Sequence, residues 1–154
     1  MNTAQPDPVA VDHASAQPCW SPNFGERRDG HKPSILVLHY TGMEDGISAQ
    51  KWLCDPQSNV SSHYLVHEDG AIVQMVPEFA RGWHAGKGSW HGNQDINSRS
   101  IGIEIVNAGH PGGLPDFPEA QIEQLIKLMR GICDRHAINI ADVIGHSDMA
   151  PGRK

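Results

Sequence analysis

The segment PEAQIEQLIKLMRGICDRHA (118–137) limits most tightly what this chain can fold into. Ile122, Leu125, Ile126, Met129, Ile132 and Cys133 recur at helical spacing and share one face. Pro118 suits a first helical turn, and Glu119 complements the positive end of the helix dipole. A helix that is apolar on one side must bury that side against another layer. The chain offers strands for the purpose. SILVLHY (34–40), SIGIEIV (100–106) and ADVIGH (141–146) are short apolar runs that fit buried strands. SSHYLVHEDGAIVQMV (61–76) reads as a hairpin, because Asp69-Gly70 supplies the positive φ angles of a tight turn. ISAQKWLCD (47–55) predicts a short helix stopped before Pro56. RGWHAGKGSWHGNQDINSR (81–99) has no period and predicts a long loop. Mixed helices and strands with a hairpin predict an α/β fold, a central mixed β-sheet flanked by helices.

Residues 1–20 are rich in Pro, Ala and Gln without periodicity, and are expected to form a flexible N-terminal tail ahead of one domain, 21–154. The net charge of -6 argues against nucleic acid as the main partner, since a phosphate backbone requires a basic stripe. No apolar run approaches the roughly 20 residues of a membrane span. The N-terminus lacks the basic and apolar regions of a secretory signal. The expected location is therefore cytoplasmic if Met1 is the natural start, with the periplasm as the alternative. Cys19, Cys54 and Cys133 are odd in number, widely spaced and without a CxxC, so three free thiols are expected. The pattern carries no signal for an oligomeric state.

Histidine is the unusual count, 10 in all. Three of the strand-like runs carry an ionisable residue at or near their ends: His39, Glu104 and His146. Strand ends are rigid yet face an opening, which suits catalytic groups. Two histidines and one further oxygen or sulfur ligand would make a catalytic zinc site with a position open for water. A carboxylate beside it would serve as general base. On spacing alone, simple packing of strand-end histidines against their neighbours is the favoured reading.

The wording of the motifs adds more. LHYTG, VSSHYLVHEDGAIVQMVPE, WHAGKGSW, INSRSIGIEIVN and GHSDMAPGRK occur together and in this order. They resemble the zinc-dependent N-acetylmuramoyl-L-alanine amidases of the AmpD/AmiD type, which share the fold of peptidoglycan recognition proteins. The resemblance runs from about residue 21 to Lys154, and the phrases HYTG, SSHYLV and GIEIVN look nearer to the AmiD branch. It implies His39 and His146 as zinc ligands, Glu104 as the catalytic carboxylate and Lys154 as the catalytic lysine. It implies a third zinc ligand, an aspartate, just beyond Lys154, so the amidase domain reads as truncated at its C-terminus. Asp148 is the tempting substitute, but the family has that Ser-Asp pair in addition to its ligand. The implied partner is peptidoglycan or a muropeptide, cut between N-acetylmuramic acid and L-alanine. A non-catalytic peptidoglycan-binding module of the same fold is the alternative, and a zinc hydrolase of another amide is a third reading.

The surrounding residues carry further expectations. His84, in WHAG, and Asn107, just past the Glu104 run, are expected to contact substrate. Trp83 and Trp90 would stack on a sugar or anchor the loop. His63 is expected to be structural. Arg27, Arg28 and Lys32 read as a solvated loop. No role is expected for His13, His31, His91, His110 or His136.

Overall fold

The computed structural model describes residues 9–152. Lys154 and residues 1–8 lie outside the described residues. In chain order the strands are β1 (Gln17–Pro18), β2 (Phe24–Gly25), β3 (Ile35–Tyr40), β4 (Tyr64–Val66), β5 (Ile72–Gln74), β6 (Arg81–Gly82), β7 (Ser100–Ile105) and β8 (Val143–Gly145). The helices are α1 (Gly46–Leu53), α2 (Ile96–Arg99), α3 (Glu119–His136) and α4 (His146–Met149). Six strands form one sheet in the order β1-β5-β4-β7-β3-β8, while β2 and β6 pair apart from it. β3 runs parallel to both β7 and β8, β7 parallel to β4, and the β4–β5 hairpin is antiparallel. The sheet is therefore mixed, as its apolar runs and its one hairpin predict.

Alternation along the strands divides the core. Leu36, Ile101, Ile103, Ile105, Tyr64 and Val66 face α3, which presents Leu125, Leu128 and Ile132. Ile35, Val37 and Ile144 face the other way, against Ile96, Met149 and the loop before α2. α1 covers Leu65, Val73 and Val106 with Ala49 and Leu53. The α3 stripe differs from its sequence reading at one position. Ile126 is 43% exposed, and Leu128 takes the buried place at the spacing of Leu125 and Ile132. The long loop of 81–99 is likewise interrupted, by β6 at its start and α2 at its end.

Two other expectations are corrected. The supposed tail is built into the domain from residue 12 onward. The Asp12 N–H donates to Gln74 Oε1 at 2.7 Å, Ala16 is buried, and β1 pairs with β5. β5 would otherwise be the sheet edge, and its unpaired backbone groups recruit this segment. Arg27 is also no solvated side chain. Its guanidinium donates to the carbonyls of Asn97, Ser98, Ser100 and Glu78, closing the loops around β7. Burial pushes its pKa down to about 10, with Arg81 adding to the effect.

His63 is structural and fully buried. Its Nε2–H donates to the Ala80 carbonyl at 2.9 Å, and its Nδ1 accepts from the Gly102 N–H at 3.1 Å. Adding a proton at Nδ1 would orphan that N–H, and burial lowers the pKa from 6.5 to about 4. The unfolded chain binds this proton below pH 6.5 while the native protein refuses it until about pH 4. Stability is therefore full above pH 6.5 and falls between 6.5 and 4, by roughly 3 kcal/mol from this residue. Denaturant unfolding at steps across this range measures the slope, and His63→Gln should flatten it. An equal slope in that variant would locate the protons elsewhere.

Candidate active site

His39 and Glu104 are register partners on β3 and β7, and His146 follows β8 where it pairs with β3. Side chains two residues apart share a sheet face. Val37 and His39, Gly102 and Glu104, and Ile144 and His146 thus bring the three ionisable groups to the face away from α3. All three line one cleft of about 410 Å³, walled also by Val60, Trp83 and His84. A smaller cavity of about 120 Å³, lined by Tyr40, Met43, Trp52 and Leu53, shares Glu104 and Val60 with it. Glu104 consequently stands between two recesses.

The histidines are ordered by a chain of hydrogen bonds. The Ser100 hydroxyl donates to the Ile96 carbonyl at 2.7 Å, so at 3.1 Å it accepts from His84 Nε2–H. Burial, and then the nearby His39, His63 and His146, hold the pKa of His84 well below 6.5. The neutral ring then offers Nδ1 as an acceptor, and His39 Nε2–H donates to it at 3.0 Å. This polarity turns the Nδ1 lone pair of His39 toward His146 Nδ1, 2.9 Å away. Two imidazole nitrogens aimed at one point are a donor set that suits zinc. Among the described residues there is no group of three or more His, Cys, Asp or Glu placed to hold a metal ion. His39 and His146 are the two nitrogen donors that the cleft brings together.

Residues 29–154 match the sequence model of the N-acetylmuramoyl-L-alanine amidase family. The chain belongs to this family. The amidase is 32% identical over 151 residues to the 1,6-anhydro-N-acetylmuramyl-L-alanine amidase AmpD of Escherichia coli K12, covering 87% of this chain and 80% of the relative. It is 40% identical over 132 residues to the N-acetylmuramoyl-L-alanine amidase AmiD of the same organism, covering 78% of this chain and 47% of that longer protein. A crystal structure of a selenomethionine AmpD derivative superposes with a TM-score of 0.82 at 31% identity, over 95% of this chain and 90% of the other. The complex of Escherichia coli AmiD with anhydro-N-acetylmuramic acid-L-Ala-D-gamma-Glu-L-Lys superposes at 0.71 with 38% identity, over 86% and 60%.

The structure shows what surrounds the two expected substrate contacts of the amidase. His84 lines the cleft, and its two ring nitrogens are engaged by His39 and Ser100, so it also supports His39. Asn107 is not among the residues lining this cleft. Its Nδ2 donates to the Pro115 carbonyl and its Oδ1 accepts from the Gly109 N–H, so its amide builds the loop after β7. Asp148 accepts from the Gly145 N–H at 2.8 Å and shapes the turn into α4. Trp90 anchors its loop, with Nε1–H donating to Asp142 at 3.0 Å, while Trp83 lines the cleft.

Sequence reasoning passed over Ser100, Asn97 and Gly102. The Asn97 Oδ1 accepts from the N–H groups of both His84 and Ala85 and holds that loop against the sheet. Gly102 was findable, since a glycine inside a strand marks a close approach. A Cβ there would lie 2.5 Å from His84 Cγ.

Proposed function

We propose that this amidase hydrolyses, with zinc as cofactor, the amide bond between the lactyl group of N-acetylmuramic acid and L-alanine in peptidoglycan or muropeptides. The observation that carries the reading is the convergence of His39, Glu104 and His146 on one cleft. His39 and His146 would hold the metal through Nδ1, with an aspartate beyond Lys154 as the further ligand. When bound, zinc lowers the pKa of a coordinated water to about 7 and polarises a carbonyl.

The remaining work falls to the chain's own side chains. Glu104 takes a proton from the attacking water and returns it to the departing amine, which would otherwise be a poor leaving group. Glu104 borders both recesses, so the scissile bond is expected to lie where they meet. The His84–Ser100 pair keeps His39 in the tautomer a metal ligand needs. Lys154 is assigned to the negative charge that develops on the carbonyl oxygen. The muropeptide class is supported by the names of the AmpD and AmiD relatives and by the ligand in the AmiD complex.

Zinc stoichiometry tests the reading, in this 154-residue chain and in a version continued past Lys154 with the family's aspartate. About one zinc per molecule in the continued chain alone is the expected result. Tight binding by both would make a residue inside the present chain the further ligand, with Asp148 the first to replace. Binding by neither would overturn the metalloenzyme reading and favour a peptidoglycan-binding module.

A further inference from the structure

Cys19 and Cys54 are far apart in sequence and adjacent in space. Their sulfurs lie 3.9 Å apart, and Cys54 Sγ also reaches the Cys19 carbonyl at 3.5 Å. Cys19 follows β1 and donates its N–H to the Gln74 carbonyl at 2.9 Å, extending the strand pairing at the sheet edge. Cys54 caps the C-terminus of α1. Both thiols are free and half-buried, so a small reagent reaches them. Cys133 belongs to α3, packed on the opposite side of the sheet.

We propose that Cys19 and Cys54 are a covalent modification site, a thiol pair that closes to a disulfide when a small-molecule disulfide is the oxidant. The Cys19 thiolate attacks one sulfur of the reagent, forming a mixed disulfide and releasing one thiolate. Cys54 then gives up its proton and displaces the second reagent thiol, forming the Cys19–Cys54 bond. Two protein thiols are oxidised and one reagent disulfide is reduced to two thiols. Burial, then the neighbouring Cys19, pushes the Cys54 thiol up to about 12, so Cys19 attacks first; once Cys19 is in the mixed disulfide its charge no longer opposes ionisation of Cys54.

The surroundings hold the two cysteines beside each other. Ser21 Oγ donates to the Leu53 carbonyl at 2.7 Å, and Asn23 Nδ2 donates to the carbonyls of Asp55 and Val60 at 2.8 and 2.9 Å. These bonds already hold the β1 segment against the end of α1. A disulfide brings its sulfurs to about 2 Å, so the remaining approach is on the order of 2 Å, the scale of a side-chain rotation. The bond would pin a two-residue edge strand and, through Trp52, Leu53 and Val60, fasten one wall of the recesses beside Glu104. An oxidising compartment would favour that clamped form and a reducing one the open form.

The test incubates the folded protein with excess oxidised glutathione, quenches by alkylation and reads intact and peptide masses. Expected are loss of two hydrogens, one alkylated thiol at Cys133, a linked Cys19–Cys54 peptide pair, and a Tm higher by about 5–10 °C that dithiothreitol reverses. Cys133→Ser should close as readily, whereas Cys19→Ser and Cys54→Ser should not. Glutathione adducts without ring closure, a link to Cys133 or three alkylatable thiols after oxidation would overturn the proposal. Closure with an unchanged or lowered Tm would overturn the claim that the bond fits the native geometry.

Discussion

In the chain continued past Lys154 and loaded with zinc, replacing Glu104 by alanine is expected to cut kcat by about 10²–10⁴-fold while zinc stays bound. The carboxylate lies on β7 opposite His39 and faces the same cleft, so it is placed to move protons rather than to hold the strands together. Its loss leaves water without a base and the departing nitrogen without an acid. His39→Ala should remove both metal and turnover, because Nδ1 of His39 is one of the two converging donors. The contrast is the point of the experiment. Metal analysis beside turnover of a muropeptide separates the roles, and loss of zinc in Glu104→Ala would make Glu104 a ligand.

Glu78→Ala is expected to destabilise the protein by about 3 kcal/mol and to lower Tm by about 10 °C. The Glu78 side chain is only 3% exposed, yet it carries the tightest ion cluster of the described residues. Arg135 approaches it with Nη2 at 2.6 Å and Nε at 3.0 Å, His136 with Nε2 at 2.7 Å, and Tyr64 donates its hydroxyl at 2.8 Å. Removing the carboxylate leaves Arg135, His136 and a buried phenol facing one another without their acceptor. Burial alone would raise the pKa of Glu78, but the bonds from Arg135, His136 and Tyr64 outweigh it and hold the group below its usual value. Its contribution is therefore present above the ordinary carboxylate range and is lost as pH falls through the depressed native value. Guanidinium unfolding at neutral pH measures the effect, and a change under about 1 kcal/mol would place this cluster with ordinary surface pairs.

The strands, the hairpin and α3 were legible because each has a periodic apolar pattern bounded by turn or cap residues. The ionisable trio of the cleft was legible for a related reason. His39, Glu104 and His146 interrupt apolar runs at their ends, and ordered motifs around them matched a family. Ser100 and Asn97 were illegible because a buried hydroxyl and amide look like loop residues until their partners are known. The loop partners of Asn107 were illegible for the same reason, since Pro115 and Gly109 meet its amide only once the loop after β7 has folded.

By itself the sequence determined the layers: which runs are strands, which face of α3 is buried apart from Ile126, and which ionisable residues stand at the strand ends. Periodicity and motif are local properties, and a linear chain displays them in full. Only the tertiary structure decided that residue 12 onward joins the sheet edge, that Arg27 staples loops, that His84 answers to Ser100 as well as His39, and that Cys19 meets Cys54. Each of these is a contact between segments distant in sequence. Such contacts follow from strand order and register, which the pattern of side chains along one segment does not encode.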